Sequence, residues 1–157
     1  MKVIDVIKER CIGCRICEQW CTWQHDESGG TLSRIHVKRL HEEYANLPLV
    51  CHQCEDTPCI NSCKSNALSK DAVTGAILVD SVACTGCRLC IRNCPYTAIT
   101  YDRVNRKVRI CDLCGGNPQC VAHCPEYALD YVPREERGKK KEPSKGLWST
   151  QEVVKGE

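Results

Sequence analysis

Apolar residues recur along this chain in short, β-branched runs: VIDVI at 3–7, RIHV at 34–37, AILV at 76–79, AITY at 98–101 and KVRI at 107–110. Runs of this length and make-up predict strands of only a few residues. VTG at 73–75 and VNRK at 104–107 carry turn residues and predict the tips of small hairpins. Helical signal is confined to cysteine pairs at i and i+4 (Cys17 and Cys21, Cys59 and Cys63, Cys90 and Cys94, Cys120 and Cys124), each fitting one turn of a short helix. Two of these turns leave by the same exit, CPYTAI at 94–99 and CPEYAL at 124–129. The last stretch, 133–157, changes character: it has no cysteine and many charges, and predicts a tail that is either solvated or a partner-docking arm anchored by Leu147, Trp148, Val153 and Val154.

Composition alters this picture. The 157 residues include 16 Cys, no Phe and only 5 % aromatics, so the 42 % apolar content overstates the conventional core. A thin core needs staples, and the cysteines are the candidates. The N-terminal residues show no apolar signal region and no twin arginines, and no run approaches the ~18 residues of a membrane span. The expected location is cytoplasmic, where clustered Cys point to metal in preference to disulfides.

All 16 Cys fall into four groups of four: Cys11, Cys14, Cys17, Cys21; Cys51, Cys54, Cys59, Cys63; Cys84, Cys87, Cys90, Cys94; and Cys111, Cys114, Cys120, Cys124. The third group with Pro95, CTGCRLCIRNCP, matches the C-x2-C-x2-C-x3-C-P run of bacterial ferredoxins at every position, and the first departs only in Thr22 for the proline. Groups two and four widen the second interval to x4 and x5. In such a run three thiolates converge on one cubane, while the fourth ligates the other cluster of a pair. Zinc sites built from paired CxxC knuckles give no reason for a third and fourth Cys crowding the first two. Eight disulfides would need an oxidising compartment and a Cα spacing of ~5.5 Å that such runs cannot offer many partners at once. Four cluster cofactors at about −2 each would take the formal charge of +2 to about −6, so the basic residues balance cluster charge and require no nucleic acid.

On these motifs residues 5–132 resemble the four-cluster [4Fe–4S] electron-transfer subunits of molybdenum and tungsten pterin enzymes, formate–hydrogenase systems and carbon monoxide dehydrogenase systems. The resemblance implies an α+β, loop-rich fold of two bacterial-ferredoxin-like modules with internal pseudo-symmetry, one continuous (51–100) and one assembled from 1–50 and 101–132. It also implies cross-paired ligation of four [4Fe–4S] clusters: Cys11, Cys14, Cys17 and Cys124; Cys111, Cys114, Cys120 and Cys21; Cys51, Cys54, Cys59 and Cys94; Cys84, Cys87, Cys90 and Cys63. The stretch CRICEQWCTWQHDESGGTLSRIHV is similar to the small iron–sulfur subunits of tungsten aldehyde oxidoreductase-type complexes. A catalytic tungsten-pterin subunit is then the expected partner, with a flavin subunit, a soluble ferredoxin or a higher-order assembly beyond it. A relay for formate dehydrogenase, hydrogenase or carbon monoxide dehydrogenase, or an iron–sulfur redox sensor, remains open on the residues alone.

Around the cysteines, Arg15 and Arg88 either raise a cluster's potential through their charge or simply solvate a loop. Gly13 and Gly86 permit a positive φ or a close backbone approach. Trp20, Trp23 and His25 either shield a cluster or face a partner, and His25, His52 and His123 are expected to be structural because four Cys already saturate each site. No paired carboxylates suggest acid–base work, and no phosphate-binding loop is visible, so the chain is expected to be non-catalytic by itself.

Overall fold

The computed structural model describes residues 1–25, 32–41 and 45–139. Among the described residues, eight strands pair into four separate two-stranded antiparallel sheets. The first strand, β1 (Lys2–Val6), lies against the last, β8 (Leu129–Pro133), in a register from Lys2 opposite Pro133 to Val6 opposite Leu129. This pairing joins the N-terminal segment to the far end of the described chain. Val3 and Ile4, consecutive and so on opposite faces of this ladder, are both completely buried.

Three hairpins make up the rest: β2 (His36–Leu40) with β3 (Ala45–Leu49), β4 (Leu68–Lys70) with β5 (Ile77–Val79), and β6 (Thr100–Asp102) with β7 (Lys107–Arg109). The turns expected at 73–75 and 104–107 lie at two of these tips. At the second, Asp102 accepts hydrogen bonds from the N–H groups of Val104 and Asn105, the Asn105 amide and Arg109. The runs at 34–37 and 98–101 become strands shifted two residues later. Strands β3, β4 and β8 carry little strand signal of their own. Asn46 and Pro48 interrupt one, Leu-Ser-Lys is too short to read, and β8 ends on proline. Long-range or hairpin pairing recruits them, and Pro48 is tolerated because a two-stranded ladder has open edges.

The helices are brief: α1 (Ile16–Gln24), α2 (Pro58–Asn61), α3 (Leu89–Asn93) and α4 (Gln119–Ala122). All four start just before a third-position Cys. Only α1 extends beyond about one turn.

The core threads between the sheets. Ile4, Ile35, Val50, Ile77, Ile110 and Leu113 are almost fully buried and pack with eight buried cysteines: Cys17, Cys21, Cys51, Cys59, Cys84, Cys90, Cys111 and Cys120. One polar side chain joins them. Gln53, 1 % exposed, donates from Nε2 to the Cys111 carbonyl (2.7 Å) and accepts at Oε1 from the Ile77 N–H (2.8 Å). Replacing it by Leu strands a buried acceptor and a buried donor. Gln53→Leu is expected to cost about 2–5 kcal/mol, read as a lower midpoint in chemical denaturation.

Residues 133–139, assigned by composition to the charged tail, lie against the body. Arg134 donates to the Gln53 carbonyl and pairs with Glu55, Arg137 pairs with Asp5, and the Gly138 N–H donates to the Asp5 carboxylate. Local charge density gave no hint of these contacts, because each partner is distant in sequence. Leu147, Trp148, Val153 and Val154 fall outside the described residues.

Candidate metal centres

Each cysteine group is curled by one left-handed residue immediately before its second Cys: Gly13, Gln53, Gly86 and Leu113, with φ of 75°, 50°, 70° and 58°. A second left-handed residue, two before the third Cys, opens the helix in three groups: Arg15, Thr57 and Arg88. This double curl bends the C-x2-C backbone around one point and aims successive sulfurs inward. The following helical turn carries the fourth Cys away from the first three. Gly86 has a further reason to be glycine, since a Cβ there would run into the carbonyl oxygen of Arg106. Gly86→Ala combines a left-handed backbone with a collision against main chain, and a loss of at least about 2 kcal/mol is expected in a denaturation series.

The sulfurs come together across groups. Cys11, Cys14, Cys17 and Cys124 line one concavity, and Cys63, Cys84, Cys87 and Cys90 line another. Two more gatherings show in how the thiols repel one another's charge. Cys51 is pushed up to about 12 by burial first, then by charge on Cys59, Cys54 and Cys94. Burial likewise raises Cys111 well above the ordinary thiol range, with added repulsion from Cys120, Cys51 and Cys21. Cys120 rises through burial and the charges of Cys21, Cys114 and Cys17. All 16 cysteines are free thiols, and Cys14 and Cys87 are the exposed ones.

Buried thiols held this far above neutrality are protonated until a metal takes them. Binding therefore releases protons and draws on the cation's charge to offset their mutual repulsion. Four convergent, soft sulfur donors with no carboxylate in the set suit iron–sulfur clusters, so the residues present fit that cofactor.

Two fourth-position cysteines behave differently. Burial pushes Cys21 up, yet hydrogen bonds from His25, the Arg34 N–H and Ser33 outweigh it and bring the thiol below its ordinary value. Cys63 is lowered in the same sense by Ser65 and by the N–H groups of Ala67 and Leu68, against a burial effect that would raise it.

Sequence reading singled out His25 but missed its partners. Nε2 of His25 stands 3.0 Å from Oδ1 of Asp112, Nδ1 stands 2.8 Å from the Cys21 carbonyl and 3.9 Å from Cys21 Sγ, and Arg34 pairs with the same Asp112. The only available signal was that Asp112 lies inside a C-x2-C knuckle, which says nothing of a residue 87 positions away. His52 stacks on Tyr96 and His123 on Trp20, each with centroids 3.5 Å apart. Trp20 also tilts against Trp23, which is 71 % exposed. The Arg88 guanidinium sits 5.0 Å from the Tyr101 ring, a cation–π contact.

A loop-rich scaffold that gathers 16 thiols in this way defines an iron–sulfur electron-transfer protein of ferredoxin type. The chain belongs to the 4Fe-4S dicluster domain family, which it matches over residues 42–134. It is similar to the polyferredoxin-like subunit of aliphatic sulfonate oxidoreductase from Pyrococcus furiosus, at 41 % identity over 131 residues, covering 81 % of this chain and 73 % of that one. The electron transport protein HydN of Escherichia coli is 36 % identical over 151 residues, covering 80 % of this chain and 84 % of its own. The putative oxidoreductase AegA of Escherichia coli is 33 % identical over 138 residues, and there the match takes up only 21 % of the longer protein. Its relatives place the chain among the electron-transfer iron–sulfur subunits of oxidoreductase systems. No helix among the described residues is long and apolar enough to cross a membrane.

Proposed function

We propose that the chain is a four-cluster relay subunit of a tungsten-pterin oxidoreductase of the aldehyde oxidoreductase type, holding [4Fe–4S] clusters on four cysteine sets. The sets are Cys11, Cys14, Cys17 and Cys124; Cys21, Cys111, Cys114 and Cys120; Cys51, Cys54, Cys59 and Cys94; and Cys63, Cys84, Cys87 and Cys90. When bound, each cluster supplies a one-electron carrier, and the redox chemistry is the cluster's own.

One observation carries the relay reading: neighbouring sets come within electrostatic reach of one another in a single order. Cys17 of the first set adds its charge to Cys120 of the second, Cys51 of the third to Cys111 of the second, and Cys59 of the third to Cys90 of the fourth. The sets thus form a row, and its two end sets contain the exposed sulfurs Cys14 and Cys87. Buried inner sets and exposed ends suit a path that accepts electrons at one face and delivers them at another. The chain's residues space the sets, exclude water from the middle and supply the thiolates. On this reading 51–100 forms one two-cluster module, and 1–50 with 101–132 closes the second around it.

The tungsten partner rests on the resemblance of residues 14–37 to subunits of that class, alongside an oxidoreductase subunit among the relatives. Anaerobic affinity purification from native cells, followed by metal analysis, tests it. Tungsten in a co-purifying pterin-bearing subunit is the expected result. Nickel, or molybdenum with a formate-oxidising subunit, would move the assignment to the hydrogenase, carbon monoxide dehydrogenase or formate dehydrogenase systems.

A further inference from the structure

Both nitrogens of the His25 ring face acceptors. Nδ1 faces the Cys21 carbonyl at 2.8 Å, and Nε2 faces the Asp112 carboxylate at 3.0 and 3.3 Å. Neither a carbonyl nor an ionised carboxylate can donate, so both ring nitrogens act as donors. Arg34 fastens to the other oxygen of the same carboxylate, and its own backbone N–H donates to Cys21 Sγ at 3.2 Å. The ligand atoms of His25, Asp112 and Cys114 all lie within 4.8 Å of one another. Only 10 % of the His25 side chain, 17 % of Arg34 and 25 % of Asp112 is exposed, so solvent screens the group weakly.

This arrangement is confined to one set. The third set has the same spacing around its first and fourth Cys, but the position of Asp112, next after the first Cys, is His52, and the position of His25, four after the fourth Cys, is Ala98. His52 turns away to stack on Tyr96.

We propose that His25 and Arg34, tied together by Asp112, are positioning residues that make the cluster on Cys21, Cys111, Cys114 and Cys120 easier to reduce than it would otherwise be. Taking up one electron adds one negative charge to the cluster and its thiolates. Two cationic or donor groups fixed beside Cys21 and Cys114 stabilise that added charge, because hydrogen bonds to sulfur and local charge set cluster potentials. Asp112, which also accepts from the Cys114 N–H, does not neutralise the pair outright, since one carboxylate faces two cationic groups. The inference rests on the four-cluster reading and goes beyond it by singling out one inner member of the row.

The test is an anaerobic dithionite titration of the loaded full-length chain with redox mediators, followed by electron paramagnetic resonance. In Arg34→Gln, one of the cluster signals is expected to become harder to reduce by about tenfold in its equilibrium, equivalent to 59 mV for one electron. His25→Ala is expected to move the same signal in the same direction, whereas Arg34→Lys, which keeps the charge, restores most of the shift. Iron per chain should stay at the unsubstituted level. Unmoved potentials in both Arg34→Gln and His25→Ala would overturn the proposal, as would an equal shift of every signal. A chain that shows no [4Fe–4S] signals before any substitution would instead sink the four-cluster reading, so the two failures are distinguishable.

Discussion

Stripping iron and sulfide from the chain is expected to abolish the fold itself and not merely its colour. Every described strand belongs to a two-stranded ladder, and such hairpins are marginal alone in water. The longest described helix, Ile16–Gln24, has nine residues, below the length at which isolated helices persist. Eight of the buried core positions are cysteines, and on the proposed ligation the core loses its centre without metal. The thiols left behind are desolvated, and Cys17 and Cys51 are pushed up to about 12 mainly by burial. Circular dichroism and visible absorbance should therefore decay together when a chelator is added under reducing, anaerobic conditions. Native-like circular dichroism in an iron-free sample would show that the polypeptide core suffices.

Cys111→Ala should have the next largest effect. Cys111 is buried, its carbonyl holds the Gln53 amide, and its sulfur neighbours those of Cys51, Cys120 and Cys21. It stands where the second and third sets meet. Removing its sulfur leaves three donors for that cluster, so iron per chain should fall by about a quarter, from roughly sixteen to roughly twelve. Electron delivery from one exposed end to the other should fall steeply, because the inner member of the row is missing. Cys14→Ala, at an exposed end, should also lose one cluster but perturb folding less. Stopped-flow reduction by dithionite, with iron analysis and chemical denaturation of the same samples, checks both substitutions. Equal effects of the two on stability would argue against a row with buried middle and exposed ends.

How far the sequence alone reaches depends on sequence distance. The four cysteine groups and the hairpin tips at 73–75 and 104–107 are local patterns, visible in spacing and turn chemistry. The gathering of Cys124 with Cys11, or of Cys94 with Cys51, is not encoded in any window of the chain, and only the resemblance supplied it. The pairing of Lys2–Val6 with Leu129–Pro133 spans almost the whole described chain, and Leu129–Pro133 is a poor strand by composition. Gln53 and Leu113 hold the same left-handed curl as Gly13 and Gly86, yet neither residue type announces a positive φ. The His25–Asp112–Arg34 group was equally hidden, since its members lie on three separated segments and meet only because Cys21 and Cys114 are brought together.

We infer that 16 thiols hold four cubanes. Iron and acid-labile sulfide, measured per chain on anaerobically purified protein, test it most directly. About sixteen of each is the predicted result. About eight of each would limit the chain to two clusters, and zinc in place of iron would contradict the account altogether.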